Sequence, residues 1–208
     1  YEPVDILYEN TFLIVAFKPP FLLVHDDGNN QDTLQARVNG YLQLNQNKYP
    51  AQAIHRIDYE TSGLVLFCKH PFFQAYCDKN MEEHHIKKEY IALVQGHTNY
   101  KNKKIISNIA RDRHNAKKMI IHPNGKESVS IFNTLKNYKD CSLIQVTILT
   151  GRKHQIRVQC ASLNHPILND SLYGGKKIDN TGLLLQSHHI QFNDVDITCP
   201  QEKRFIRK

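Results

Sequence analysis

His55-Arg56-Ile57-Asp58-Tyr59-Glu60-Thr61-Ser62-Gly63, followed at once by Leu64-Val65-Leu66-Phe67, is the stretch around which the rest of the chain is arranged. Charged, polar and hydroxyl side chains crowd the positions before Gly63, and the residues after it are apolar and β-prone. That change predicts a reactive loop feeding a buried strand. Asp58 stands two residues from the Arg56 cation and three from the Thr61 hydroxyl. An isolated Asp ahead of a Gly is ordinarily a turn residue bonded to its own backbone. The company it keeps here makes Asp58 the first candidate for a catalytic group.

Written as His-Arg-Ile-Asp-x-x-Thr-Ser-Gly-Leu, this stretch resembles the motif that carries the nucleophilic aspartate of the RluA-type pseudouridine synthases. Three further segments follow in that family's order and at its spacing: Lys88-Glu89-Tyr90-Ile91-Ala92-Leu93-Val94-Gln95-Gly96, Thr150-Gly151-Arg152-Lys153-His154-Gln155-Ile156-Arg157, and His165-Pro166-Ile167-Leu168-Asn169-Asp170-x-x-Tyr173-Gly174. The resemblance spans nearly the whole chain. It implies an α+β pseudouridine synthase fold: a mixed, mainly antiparallel sheet with flanking helices and a central catalytic cleft. It also implies a single catalytic domain over 1–208, a uridine of ribosomal or transfer RNA as substrate, and no cofactor or metal. Relatives often carry an RNA-binding domain of the S4 type ahead of this opening, so one is allowed for upstream of Tyr1.

Breaking the bond from C1′ to N1 and rejoining the base through C5 calls for a nucleophile or anion, a hold on the base and a proton acceptor. A carboxylate in a dry cleft stays ionised only beside a cation. The resemblance supplies that cation for Asp58 at Arg157, which by itself reads as a helix-surface charge. Tyr90 resembles the family's active-site tyrosine, whose phenol stacks on uracil and assists proton transfer. As a lone strand tyrosine it reads as core packing. Arg56 resembles the residue that enters the RNA stack when the target base leaves it, a role suited to a planar guanidinium. His55, Thr61, Arg152 and His154 complete the motifs and are expected in substrate-binding or supporting roles. Thr61 and Ser62 are expected to bond the backbone around Asp58, and Gly63 to let another segment pass closely. Two positions depart from the family pattern: Phe21 stands where Gly is usual, and Gln186 where many members have His.

The 27 Lys and Arg against 20 Asp and Glu leave a net charge of +7, which suits a phosphate-bearing partner and serves equally for solubility. Five widely spaced cysteines without a Cys-x-x-Cys pair read as reduced, cytosolic thiols. None of the twelve histidines stands in metal-site spacing with a carboxylate, and no apolar run is long enough to cross a bilayer.

A chain of 208 residues can bury one ample core or two small subdomains sharing a sheet. Strands are predicted at 12–17, 21–24, 64–67, 86–94, 128–135 and 141–149, with a hairpin turning at Asn193-Asp194. One helix, capped by Asp32 or Thr33, presents Leu34, Val38, Tyr41 and Leu42; a second, opening at Pro71, presents Phe72, Ala75, Tyr76 and Lys79. A third follows Thr150-Gly151 with Ile156, Cys160 and Leu163 inward. Between 97 and 126, Lys101, Lys103, Lys104, Arg111, Arg113, Lys117, Lys118 and Lys126 face no nearby acid beyond Asp112. A protruding basic hairpin that grips RNA phosphates through Lys117 and Lys118 is expected there, against the plain alternative of a solvated loop.

Two other functions stay open on the residues alone. One is an RNA-binding or RNA-folding protein without turnover, which has no need of Asp58, Tyr90 and Arg157 together. The other is a glycoside hydrolase, for which Glu60 and Glu89 are the nearby second acids.

Overall fold

The computed structural model describes residues 2–26, 28 and 32–207; most of the polar loop expected at 26–30 lies outside them. In chain order the strands are β1 (Asp5–Glu9), β2 (Leu13–Lys18), β3 (Gln52–Ala53), β4 (Ser62–Cys68), β5 (Lys87–Gln95), β6 (Lys103–Arg111), β7 (Met119–Ile121), β8 (Lys126–Asn137), β9 (Cys141–Ile148), β10 (Leu185–Phe192) and β11 (Val195–Thr198). The helices are α1 (Leu34–Leu44), α2 (Pro71–Glu82) and α3 (Gln155–Ser162), so the class is α+β. The chain forms two compact units, residues 1–87 with 187–200, and residues 88–186 with 201–208.

In the first unit β2 lies antiparallel between β1 and β4, in register from Leu13↔Cys68 to Lys18↔Gly63. All seven residues of β4 are buried, as the unbroken apolar run demands. Its Leu64 and Leu66 join Leu13, Val15, Ile190 and Phe192 in one core. Thr33 caps α1 by accepting the Ala36 N–H at 3.1 Å, and Leu34, Val38 and Leu42 are buried while Tyr41 stays half-exposed.

Three expectations change. The buried stripe of α2 is Cys77 flanked by Phe73 and Met81, at i, i+4 and i+8, and Phe72 is 87% exposed. The core takes the row of Phe73, Cys77 and Met81 rather than the row of Phe72 and Tyr76 one residue ahead of it. Residues 21–24 form no strand, because Phe21 has a φ of 62° and turns the chain. Instead Asp5–Glu9 makes the edge strand, alternating exposed and half-buried, a pattern its mixed composition hid.

Gly63 has a φ of 112°, and a Cβ there would lie 2.2 Å from the Ser187 carbonyl oxygen. The expected close passage is therefore that of β10. Gly63→Ala is expected to cost more than about 2 kcal/mol through strain and clash combined, read as a lowered midpoint in urea.

In the second unit β5 pairs with β9 from Lys88↔Ile148 to Gln95↔Cys141, and β9 continues to β8. Strand β6 runs along β8 and turns into β7, so the basic segment is a hairpin whose base belongs to this unit's sheet. Met119 at its end packs with Ile109, Val158 and Tyr173. Helix α3 is buried on more sides than expected: every residue from Gln155 to Cys160 is inside, and Leu163 is half-exposed. Three of those buried residues are polar, and each needs a partner.

Candidate active site

The first unit holds Asp58, Arg56, His55 and Thr61; the second holds Tyr90, Arg157, Arg152, His154, Lys117 and Lys118. Asp58 is half-buried on a loop whose main chain is tied at several points. Its carbonyl accepts the Thr61 N–H at 3.1 Å, which closes a turn. Ahead of it, Ile57 is buried, and the Nε2 atom of buried His55 accepts the Leu66 N–H at 3.2 Å. That bond requires a lone pair on Nε2, so His55 is a neutral imidazole carrying its proton on Nδ1. It anchors the loop to β4. Arg56, between these fixed points, is exposed.

After Asp58, the Tyr59 carbonyl accepts the Phe21 N–H at 2.8 Å and the Lys18 ammonium at 3.0 Å. Lys18 is wholly buried and also donates to the carbonyls of Pro19 (2.9 Å) and Leu22 (2.7 Å). A buried ammonium is tolerated when its donors are used in this way. Lys18 thus staples the 18–22 turn to the residue following Asp58. The sequence offered a sign of it in a cation closing an apolar strand before two prolines. Thr61 is 1% exposed, and among the described residues its hydroxyl has no hydrogen-bond partner.

Tyr90 lies on β5, 6% exposed and opposite Val146. Lys88, two residues earlier and so on the same side of the strand, is buried, and loss of hydration pulls its pKa down to about 8. Glu89, on the other side, accepts from Gln145 at 3.2 Å and Thr147 at 3.3 Å.

Arg157 makes a bond that sequence reading did not foresee. Its Nε and Nη2 donate to the two carboxylate oxygens of Asp170, each at 2.8 Å, with side-chain exposures of 5% and 1%. Such a fork fixes the guanidinium plane, since two parallel bonds leave no free rotation. The ring of Tyr173 lies 5.1 Å from the Arg157 guanidinium and 5.6 Å from the Lys118 ammonium. Its hydroxyl accepts the Met119 N–H at 2.8 Å and lies 2.8 Å from His154 Nδ1. Which of the two donates is set by the tautomer of His154.

The expected residues Arg157, His154 and Lys118 are therefore gathered around Tyr173, with Asp170 as the new member. Arg152 takes a different direction, its Nε donating to the Glu127 carbonyl at 3.0 Å, and Lys117 is exposed in the hairpin turn. Gln186, one of the two departures, is fully buried, and its side-chain oxygen accepts the Glu202 N–H at 3.5 Å. Among the described residues, no group of three His, Cys, Asp or Glu could hold a metal, the five cysteines are buried and form no disulfide, and no helix is long and apolar enough to cross a membrane.

The ribosomal large subunit pseudouridine synthase C of Buchnera aphidicola is 36% identical over 84% of this chain and 55% of its own length. An RNA pseudouridine synthase of Mycoplasma genitalium is 30% identical over 98% of this chain and 68% of its own. The chain spans little more than half of the first of these relatives. The solved structure of human RNA pseudouridylate synthase domain containing 1 superposes with a TM-score of 0.80 at 23% identity, covering 96% of this chain and 84% of that one, and so shares its fold. The family described as RNA pseudouridylate synthase matches residues 12–162. That span opens one residue ahead of β2 and closes on the last residue of α3, taking in the stapled Asp58 loop, Tyr90 and Arg157, and the chain belongs to the RNA pseudouridylate synthase family.

Proposed function

We propose that this protein converts a uridine in folded RNA to pseudouridine, with Asp58 as the catalytic carboxylate. The observation that carries this reading is the loop itself: within the family match, Asp58 sits half-buried on a main chain held by Lys18, His55 and Thr61. A reacting group needs a fixed position of this kind. In the reaction the bond from C1′ to N1 breaks, the base turns, a bond from C1′ to C5 forms, C5 gives up its hydrogen and N1 gains one. Nothing is oxidised and no atom is added, so side chains suffice and neither cofactor nor metal is required.

Asp58 supplies the anion, Tyr90 the phenol that stacks on uracil and handles a proton, and Arg157 the cation that keeps Asp58 charged, its plane set by Asp170. Arg56 fills the gap left by the departing base, and Thr61, with its buried hydroxyl, and His55 support the loop. Arg152, His154, Lys117 and Lys118 serve the RNA backbone. The name of the Buchnera relative points to large-subunit ribosomal RNA as the substrate class. We place the protein in the cytoplasm as a monomer acting through one catalytic domain.

Release of tritium from RNA carrying 5-tritiated uridine tests the reaction, since isomerisation removes the hydrogen from C5; folded protein that releases none from total RNA overturns the reading. Mapping pseudouridines in total RNA from a strain lacking the gene decides the substrate. A site missing from transfer RNA alone would displace the ribosomal assignment. Reversing charge at Lys117 and Lys118 to Glu is expected to weaken RNA binding and to lower the salt slope by about 0.7 to 0.9 for each phosphate that is no longer neutralised. An unchanged slope would make the hairpin a solvated loop.

A further inference from the structure

Phe21 occupies a conformation that its side chain does not favour. Among the described residues with positive φ, the others are Gly, Asn, Gln or His, and of those with a side chain Phe21 alone has no polar group to bond locally. The residue is 45% exposed, so burial does not repay the strained backbone. The main chain holds it there instead, through the Phe21 N–H on the Tyr59 carbonyl and the Lys18 ammonium on the carbonyls of Pro19, Leu22 and Tyr59. Strain that is over-determined by its surroundings and leaves an apolar ring in water points to use of that ring.

The Tyr59 ring, 47% exposed, meets it edge to face, with centroids 5.9 Å apart and planes at 68°. Tyr59 follows Asp58 directly in the chain, and the exposed Arg56 cation is three residues from Tyr59. Two exposed rings at a steep angle make a corner that takes a flat aromatic guest on one ring and its edge on the other. In a protein of charge +7 that guest is a nucleobase rather than a neutral side chain. We propose that Phe21 and Tyr59 form a stacking subsite for an unpaired RNA base flanking the nucleotide presented to Asp58. The inference rests on the RNA reading above and adds a contact that depends on a base and not on phosphate.

The test is equilibrium binding of two fluorescently labelled strands at one salt concentration: a twelve-nucleotide oligoadenylate and an abasic strand of the same length, which offers the same phosphates without bases. Wild-type protein is expected to prefer the oligoadenylate. Phe21→Gly accepts the positive φ without strain and should hold its Tm within about 4 °C. It is expected to bind oligoadenylate about 5- to 150-fold more weakly while keeping its affinity for the abasic strand. Tyr59→Ala removes the second ring but not the carbonyl that anchors Phe21 and Lys18, and should lose preference likewise. Asp58→Asn, which ends turnover, should keep the preference in full, so failure of the subsite and failure of the catalytic reading give different results. Equal losses on both strands, or no loss in either variant, overturn the subsite. Self-association that disappears in both variants assigns the rings to a second copy instead. Wild-type protein that binds neither strand removes the subsite, while the reading of the reaction stands or falls by tritium release from folded RNA.

Discussion

Asp58→Asn is expected to lower the rate of tritium release by roughly 10⁴-fold or more while changing neither the fold nor most of the RNA affinity. The amide has the shape of the carboxylate but no charge and negligible nucleophilicity. The bonds that hold the loop run through main-chain atoms and neighbours: Thr61 N–H to the Asp58 carbonyl, Leu66 N–H to His55, Phe21 N–H and Lys18 to the Tyr59 carbonyl. None of these passes through the Asp58 carboxylate. Affinity resides mainly in phosphate contacts, so the variant should bind RNA with nearly the wild-type salt dependence. Activity within tenfold of wild type would remove Asp58 from the chemistry, whereas a collapse of the fold would show that the carboxylate is structural.

Arg157→Met is expected to be inactive for two reasons that must be separated. Removing the guanidinium strands the Asp170 carboxylate, 1% exposed, without the fork that neutralises it. Breaking a buried pair by deleting one member costs about 3–5 kcal/mol. For a protein of 208 residues that lowers Tm by roughly 6–20 °C. The double variant Arg157→Met, Asp170→Leu removes both charges and should recover most of the stability, since well-packed apolar replacements of buried pairs are often neutral. It should stay inactive all the same. Arg157→Lys should recover part of the activity, because a flexible ammonium keeps the charge but not the two-point geometry. A double variant as active as wild type would show that Arg157 serves the fold alone. A single variant costing less than about 1 kcal/mol would show that the pair is not buried in solution.

How much of this was legible in the sequence depended on the range of the interaction concerned. Alternation and unbroken apolar runs located β4, β5, β8, β9 and the β10–β11 hairpin, because each side chain there answers to its own strand's faces. The face of α2 was read one residue out: Phe72 and Tyr76 outweigh Cys77 in hydrophobicity, yet the core has room for the thiol. The 21–24 segment misled because nothing in an apolar run announces that Phe21 takes a positive φ. At the site, the resemblance named Asp58, Tyr90 and Arg157 as candidates but did not supply the bond between Arg157 and Asp170, which lie 13 residues apart on either side of a helix end. Lys18 likewise reaches across 41 residues to the Tyr59 carbonyl. Such contacts leave no period in the sequence, and a buried lysine reads as a surface one until its carbonyls are seen.

The chain passes from one compact unit to the other after Lys87, after Gln186 and after Pro200. During synthesis from the N-terminus, the first unit therefore waits for residues 187–200, which bring most of β10 and all of β11, until the whole stretch 88–186 has been made. Residues 88 to 200 number 113, or roughly 6–23 s of translation at 5–20 residues per second. Throughout that interval β4, the strand that follows the Asp58 loop, lacks its β10 neighbour at Gly63, and its apolar edge is open to holdase chaperones or to a second nascent chain. The second unit waits in turn for residues 201–208, so neither unit can close before the end of this stretch is made, and the half that carries Asp58 stays incomplete throughout the synthesis of the other.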